Sequence, residues 1–158
     1  MINKSKSKST FVMTAHCGWG IYNFRKSLID TLRDIGYKVV LVSPYDEYVS
    51  ELTDDNYEWV EWSMNRNSMS PINAFSSIIE IANIYAKLDP DIIHQDTMKP
   101  SLYGSLAYRL NVVRGVWDRP PSVLSSFMGV GFLFSDHGLA RLLRPVVIPL
   151  LRLGLGHR

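Results

Sequence analysis

The chain has one cysteine, Cys17, among its 158 residues, which excludes an internal disulfide framework. A lone thiol fits a reducing compartment. No stretch reaches the roughly 18 uncharged apolar residues of a spanning helix. The nearest, Leu139–Leu155, is broken by Arg141, Arg144, Pro145, Pro149 and Arg152. The basic start Lys4-Ser-Lys-Ser-Lys8 is followed only by the short apolar run Phe11–Ala15, too short for the core of a signal peptide. Residues 1–9 read as a frayed tail. The phosphate loop G-x-x-x-x-G-K-[S/T] and the nucleophile elbow G-x-S-x-G are both missing, as is any metal-ligand spacing. Basic and aromatic residues do not interleave as in a nucleic-acid reader, so no nucleic-acid partner is expected. There is no internal repeat and no low-complexity segment.

What is present fits one compact soluble domain: 46% hydrophobic and 20% charged residues over 158 positions. The formal charge is only +2, but it is unevenly spread. Residues 1–29 carry Lys4, Lys6, Lys8, Arg25 and Lys26 and no acid. Residues 30–96 carry 13 acids against four bases, and residues 97–158 carry eight bases against two acids. Basic ends around an acidic middle suit contact with phosphate or an anionic membrane. A solvated surface with clustered charges explains the same pattern, and charge alone does not separate the two.

Hydrophobic periodicity predicts alternating strands and helices. Strands are expected over Thr10–Ala15, Val39–Val42, Tyr57–Trp62, Asp91–His94 and Ser122–Phe127. The first ends in a glycine turn, His16–Gly20. A helix follows, with the stripe Ile21, Phe24, Leu28, Leu32 and Ile35 at three- and four-residue steps. Gly36 stands where a helix C-terminal glycine belongs. Asp46–Leu52 reads as a short helix. Pro71 opens another, where its missing N–H costs nothing, with the stripe Ile72, Phe75, Ile78, Ile79, Ala82 and Tyr85. Further helices are expected over Ser101–Leu110 and residues 137–153, the last kinked at Pro145 and Pro149. Short connections and strongly apolar strands predict an α/β domain: a Rossmann-like, doubly wound parallel sheet of strand order 3-2-1-4-5.

In such a sheet, ligands gather beyond the carboxyl ends of the strands. His16–Gly20, Ser63–Ser70, His94–Pro100 and Ser126–Gly131 should therefore line one rim. Gly18 and Gly20 before a helix would let a ligand approach the backbone and meet free N–H groups. They do not make a dinucleotide fingerprint: Asn23 replaces the third glycine, and no acid follows the second strand closely enough to hold a ribose. A plain tight turn accounts for them equally well. His94 at the rim could accept a proton or bond a sugar hydroxyl; a histidine bonded to backbone is the plainer reading. Lys99 at a helix start favours phosphate, against the plainer reading of a solvated lysine. The basic tail after Leu139 could lie at a membrane interface or simply cover the sheet.

Three groups of residues carry a resemblance. Gly18-Trp-Gly20 with Asn23-Phe-Arg-Lys-Ser-Leu-Ile29, then Gly36-Tyr-Lys-Val39, is similar to the opening of family 4 glycosyltransferases of GT-B fold. Asp89-Pro-Asp-Ile-Ile-His94, then Thr97-Met-Lys-Pro-Ser-Leu-Tyr-Gly-Ser-Leu-Ala107, resembles a bacterial branch that extends lipid-linked oligosaccharides. So does Phe127-Met-Gly-Val-Gly-Phe-Leu-Phe134. The likeness runs over about residues 10–156. It implies an acceptor-binding N-terminal domain over residues 10–158, a nucleotide-sugar donor of the UDP-linked kind, and a polyprenyl-diphosphate-linked saccharide as acceptor. It assigns His94 a catalytic role and Gly18 and Gly20 the donor phosphates. It places Arg66, Thr97, Lys99, Ser126, Met128 and Gly129 at the acceptor. It implies no cofactor and no metal, and a cytoplasmic location with peripheral contact on the inner membrane face. Two features depart from the family: Val113–Pro121 replaces a small hydrophobic turn, and Phe127 and Met128 stand where some relatives carry a histidine. The family's second, donor-binding domain is expected to be absent, to be supplied by a separate chain. The alternatives are a catalytically inactive acceptor- or partner-binding domain and, more remotely, a flavodoxin-like binding module.

Overall fold

The computed structural model describes residues 9–65, 67–68 and 70–127, together with 145, 148, 149 and 152. The elements in order are β1 (Thr10–Thr14), α1 (Gly18–Asp34), β2 (Lys38–Ser43), α2 (Tyr48–Asp54), β3 (Glu58–Glu61), α3 (Pro71–Leu88), β4 (Ile92–Asp96), α4 (Met98–Val113) and β5 (Ser122–Ser126). The strands form one five-stranded sheet in the order β3-β2-β1-β4-β5, every pair parallel. That is the expected doubly wound topology. Of the expected helix over 137–153, only residues 145, 148, 149 and 152 are described, all helical, and the glycine turn Gly129–Gly131 lies outside the described residues.

Strand sequence explains why the sheet is covered on both faces. Val39-Val-Leu-Val42 in β2 and Phe11-Val-Met13 in β1 are buried throughout, with no polar alternation. Phe11, Met13, Val39 and Leu41 pack on one face with Ile21, Ile29 and Leu52 from α1 and α2. Val12, Val40, Val42 and Ile93 pack on the other with Ile81, Ala82, Tyr85 and Ala107 from α3 and α4. Each fully buried aliphatic side chain contributes about 1.5–3 kcal/mol relative to exposure.

Two helix faces differ from expectation. On α1 the buried line is Ile21 and Ile29, with Leu32 partly covered, while Phe24, Leu28 and Ile35 are exposed. The two apolar lines lie about a quarter turn apart on one helix. The sheet takes the line that carries Arg25 between Ile21 and Ile29, and the Arg25 guanidinium meets the buried Asp96 carboxylate there. On α3 the buried residues are Ser77, Ile81, Ala82 and Tyr85. Ile72 and Phe75, in its first turns, are exposed.

Between β4 and α4 the core is polar. Thr14 Oγ1 and Tyr85 OH are 2.9 Å apart. The buried Gln95 amide meets Ser105 Oγ at 2.9 Å and Ser125 Oγ at 3.0 Å. With its nitrogen facing those hydroxyls, it also reaches the Ser101 carbonyl at 3.1 Å and the Ser105 N–H at 3.2 Å. Gly104 lets α4 approach this cluster, since a Cβ there would come within 2.7 Å of both the Gln95 amide and Tyr85 OH. Burial pushes the Tyr85 phenol well above its usual range, so it stays protonated.

Candidate active-site rim

The segments after β1, β3, β4 and β5 meet at the carboxyl edge of the sheet and are tied together by hydrogen bonds. Thr97, directly after β4, is the junction. Its Oγ1 lies 3.0 Å from His16 Nδ1, after β1. Its N–H donates to the Ser126 carbonyl at the end of β5, 2.8 Å away. Lys99 Nζ donates to the carbonyls of Ser68, at 2.7 Å, and Asn65, at 3.2 Å, in the segment after β3. Burial lowers the Lys99 amine below its ordinary pKa. Thr97 pays for its position with a φ of 71°, where a β-branched side chain is strained by about 1–3 kcal/mol. The predicted single rim is therefore present, and it includes Thr97, Lys99 and Ser126.

His94 is placed differently from expectation. β4 runs on to Asp96, so His94 is mid-strand, in register with Met13 and Leu124, and only 3% exposed. Its ring stands edge-on to Phe11 with centroids 6.1 Å apart. His94 Nε2 is 2.7 Å from Ser126 Oγ, and Nδ1 has no partner among the described residues. Burial lowers its pKa, the nearby Asp96 opposes that, and Arg25 adds to it. The neutral imidazole thus reaches the rim through the Ser126 hydroxyl.

Beside it, Arg25 clamps Asp96 with Nη2 at 2.7 Å and Nε at 3.2 Å from the same oxygen. Asp96 is 2% exposed. Sequence reading passed over Arg25 because a charged residue in an apolar helix line looks like a surface position. Its signal was the apolar pair Ile21 and Ile29 one turn either side.

Gly18 and Gly20 do not form a turn before α1; they are the first turn of the helix. The reason is remote in sequence. Cys17 supplies no side-chain cap, and Asp46, just after β2, supplies one instead. Asp46 Oδ2 accepts the Trp19 N–H at 2.9 Å and Oδ1 accepts the Tyr48 N–H at 3.2 Å. A Cβ on Gly18 would come within 2.5 Å of Asp46 Oδ1, so only glycine admits the carboxylate. An acid from just after β2 therefore reaches the start of α1, where it caps the helix.

Beside this cap is a hollow of about 340 Å³, lined by His16, Cys17, Pro44, Tyr45, Asp46, Met64, Asn65 and Asn67. A larger hollow of about 500 Å³, around Trp117 and Pro120, lies at the opposite edge of the sheet beside Asp91. Of the expected site residues, Arg66, Met128 and Gly129 lie outside the described residues. No described helix is long and apolar enough to cross a membrane.

Comparison with known proteins places this rim in a family. The chain is 28% identical over 140 residues to the N,N'-diacetylbacillosaminyl-diphospho-undecaprenol alpha-1,3-N-acetylgalactosaminyltransferase of Campylobacter jejuni, covering 88% of this chain and 35% of that protein. A glycosyltransferase structure from Rickettsia africae superposes with a TM-score of 0.60 at 18% identity, over 90% of this chain and 35% of that one. MurG from Acinetobacter baumannii superposes with a TM-score of 0.55 at 19% identity, over 74% of this chain and 33% of that one. The chain thus spans about a third of the length of these relatives. Both structural likenesses agree with the doubly wound fold. Residues 5–134 match the family described as glycosyl transferase 4-like, and that span takes in the whole described sheet and every loop of the rim: the chain belongs to the glycosyl transferase 4-like family.

Proposed function

We propose that this chain is the acceptor-binding part of a glycosyltransferase that moves a sugar from a nucleotide sugar to a lipid-linked saccharide. The relative whose name specifies a diphospho-undecaprenol acceptor supports the acceptor class. The observation that carries the reading is the convergence of the loops after β1, β3, β4 and β5 on Thr97 and Lys99, with the His94–Ser126 pair beneath. Such an edge makes one wall of a cleft. A donor-binding domain, on further sequence or on a separate chain, makes the other.

In this reading Ser126, Thr97 and Lys99 face the acceptor, and the family resemblance adds Arg66, Met128 and Gly129 to the acceptor-binding set. Neutral His94 holds the Ser126 hydroxyl and can take its proton, polarising Ser126 toward an acceptor hydroxyl. Gly18 and Gly20 serve the donor phosphates on one condition. Asp46 already occupies the Trp19 N–H and sets a negative charge beside the start of α1, so a phosphate there must use the other N–H groups or displace that carboxylate. Working on a lipid-linked acceptor keeps the rim near the inner membrane surface. Exposed Trp19, Ile72 and Phe75 at the rim-side ends of α1 and α3 suit peripheral contact there.

The test is transfer. The chain is combined with a donor-binding domain, a UDP-N-acetylhexosamine and a polyprenyl-diphosphate saccharide, and the product is weighed by mass spectrometry. Elongation that falls at least about a hundredfold in Ser126→Ala and His94→Phe is the expected result. Elongation unaffected by both variants overturns the assignment. The chain alone is expected to bind UDP-sugars very weakly, because half a cleft cannot preorganise both substrates; micromolar binding contradicts that.

A further inference from the structure

The hollow between the segments after β1, β2 and β3 has a composition unlike the rest of the rim, and the geometry points to a neutral-saccharide subsite held by Tyr45, Asp46 and Asn65. This rests on the acceptor-binding reading and divides that site in two, sugar at this end and phosphate at the Lys99 end.

The argument starts from hydrogen-bond capacity. An ionised carboxylate offers about four acceptor positions. Asp46 uses one for the Trp19 N–H and one for the Tyr48 N–H, and both fix it in place. Two acceptor positions are left on a residue that lines the hollow. Asn65 is committed the opposite way. Its Oδ1 accepts the N–H groups of Asn67, at 2.9 Å, and Ser68, at 3.1 Å. Its NH₂ group is left to donate. A rigid acceptor paired with a donor matches sugar hydroxyls, each of which gives one hydrogen bond and takes another.

The third component is an apolar platform. Tyr45 is 64% exposed, yet its ring is braced edge-on by Trp59 with centroids 6.1 Å apart. Trp59 is itself fixed by its indole N–H to Ser43 Oγ at 3.1 Å. A locked, exposed aromatic beside paired polar groups can stack on the C–H face of a pyranose. Met64, 3% exposed, completes the wall.

Charge on the described wall favours a neutral ligand. Asp46 is a fixed negative charge there. A phosphate entering the hollow meets a like charge, whereas a neutral sugar does not. Lys99 holds its Nζ on the Asn65 and Ser68 carbonyls.

The experiment maps backbone amide shifts of the ¹⁵N-labelled chain with two probes, the methyl glycosides of N-acetylglucosamine and N-acetylgalactosamine, and inorganic pyrophosphate. The glycosides are expected to move the amides of Tyr45, Asp46, Asn65 and Asn67 at millimolar concentration, and pyrophosphate is expected to leave them in place. Tyr45→Ala, a surface change that spares the core, should weaken glycoside binding about fivefold or more. Asp46→Asn keeps an oxygen for the Trp19 N–H and gives up the acceptor for the Tyr48 N–H, so unchanged amide shifts of α1 are checked first. It should weaken the glycosides and admit pyrophosphate. Glycoside shifts confined to Lys99 and Ser126, glycoside binding unchanged in Tyr45→Ala, pyrophosphate competing in the parent chain, or no glycoside shifts at all would each overturn the subsite. The transfer assay fails or succeeds independently. Transfer without these shifts removes the subsite and keeps the enzyme, and shifts without transfer do the reverse.

Discussion

Replacing Gly104 by alanine sets two known effects against each other. Alanine is the better helix former by about 1 kcal/mol, so an exposed site in mid-helix would gain stability. Gly104 is buried where α4 lies on β4. The new methyl carbon would sit 2.7 Å from both the Gln95 amide and Tyr85 OH, and 2.9 Å from Gln95 Cδ. Carbon contacts are comfortable only at about 3.5–4.0 Å. Overpacking of this size costs about 1–3 kcal/mol. Relieving it pushes Tyr85 off Thr14, or Gln95 off its serines, leaving a buried polar group unpaired at a further 1–3 kcal/mol or so. After the propensity gain, Gly104→Ala should destabilise the domain by about 1–5 kcal/mol. Urea unfolding followed by tryptophan fluorescence measures this as a lowered midpoint with an unchanged slope. Tyr85→Phe removes one of the two clashing oxygens, so the double variant should recover more than about 0.5 kcal/mol beyond additivity. A Gly104→Ala chain as stable as the parent would refute the close approach of α4.

Three further outcomes follow from the rim. Arg25→Met strands the Asp96 carboxylate in the interior and should cost about 3 kcal/mol or more in urea unfolding. Adding Asp96→Asn should return much of it, and a single variant within about 1 kcal/mol of the parent would contradict the pair. His94 has a folded pKa below its ordinary value of 6.5, so the unfolded chain binds its proton first. Stability should therefore fall as pH drops through that value, and His94→Phe should flatten the fall; a thermal-shift series from pH 8 to about pH 5 reads it. Lys99→Ala should speed amide hydrogen exchange after β3, at Asn65 to Ser70, while leaving α1 protected. Unchanged exchange there would show that the lysine is no tether.

The topology was legible because its signals are local. Apolar runs ended by Ser43-Pro44 and Asp89-Pro90, and helices opened by Pro71 or closed by Gly36, mark elements without reference to the rest of the chain. The rim followed from strand order alone. What could not be read depends on partners far apart in sequence. The start of α1 at Gly18 is set by a carboxylate 27 residues away. The buried line of α1 carries an ion pair to a carboxylate 71 residues away. Periodicity shows that α1 has apolar lines but not which one meets the sheet. Gln95 looked like one polar residue after a strand, and only folding gathers Ser101, Ser105 and Ser125 around it. His94 was recognised as important but set too near the surface, because the strand continues two residues past it. Tyr45 and Asp46 had no local pattern to mark them.

The corner after β4 also has a mechanical meaning. Thr97 is fastened sideways to two neighbours, and Lys99, two residues on, to a third. The first turn of α4 cannot swivel without dragging all of them. The strain at Thr97 acts like a wound spring that unwinds only if these fastenings release together. Breathing of the cleft wall is then a single collective event, and a molecule that grips one loop stiffens the others at once.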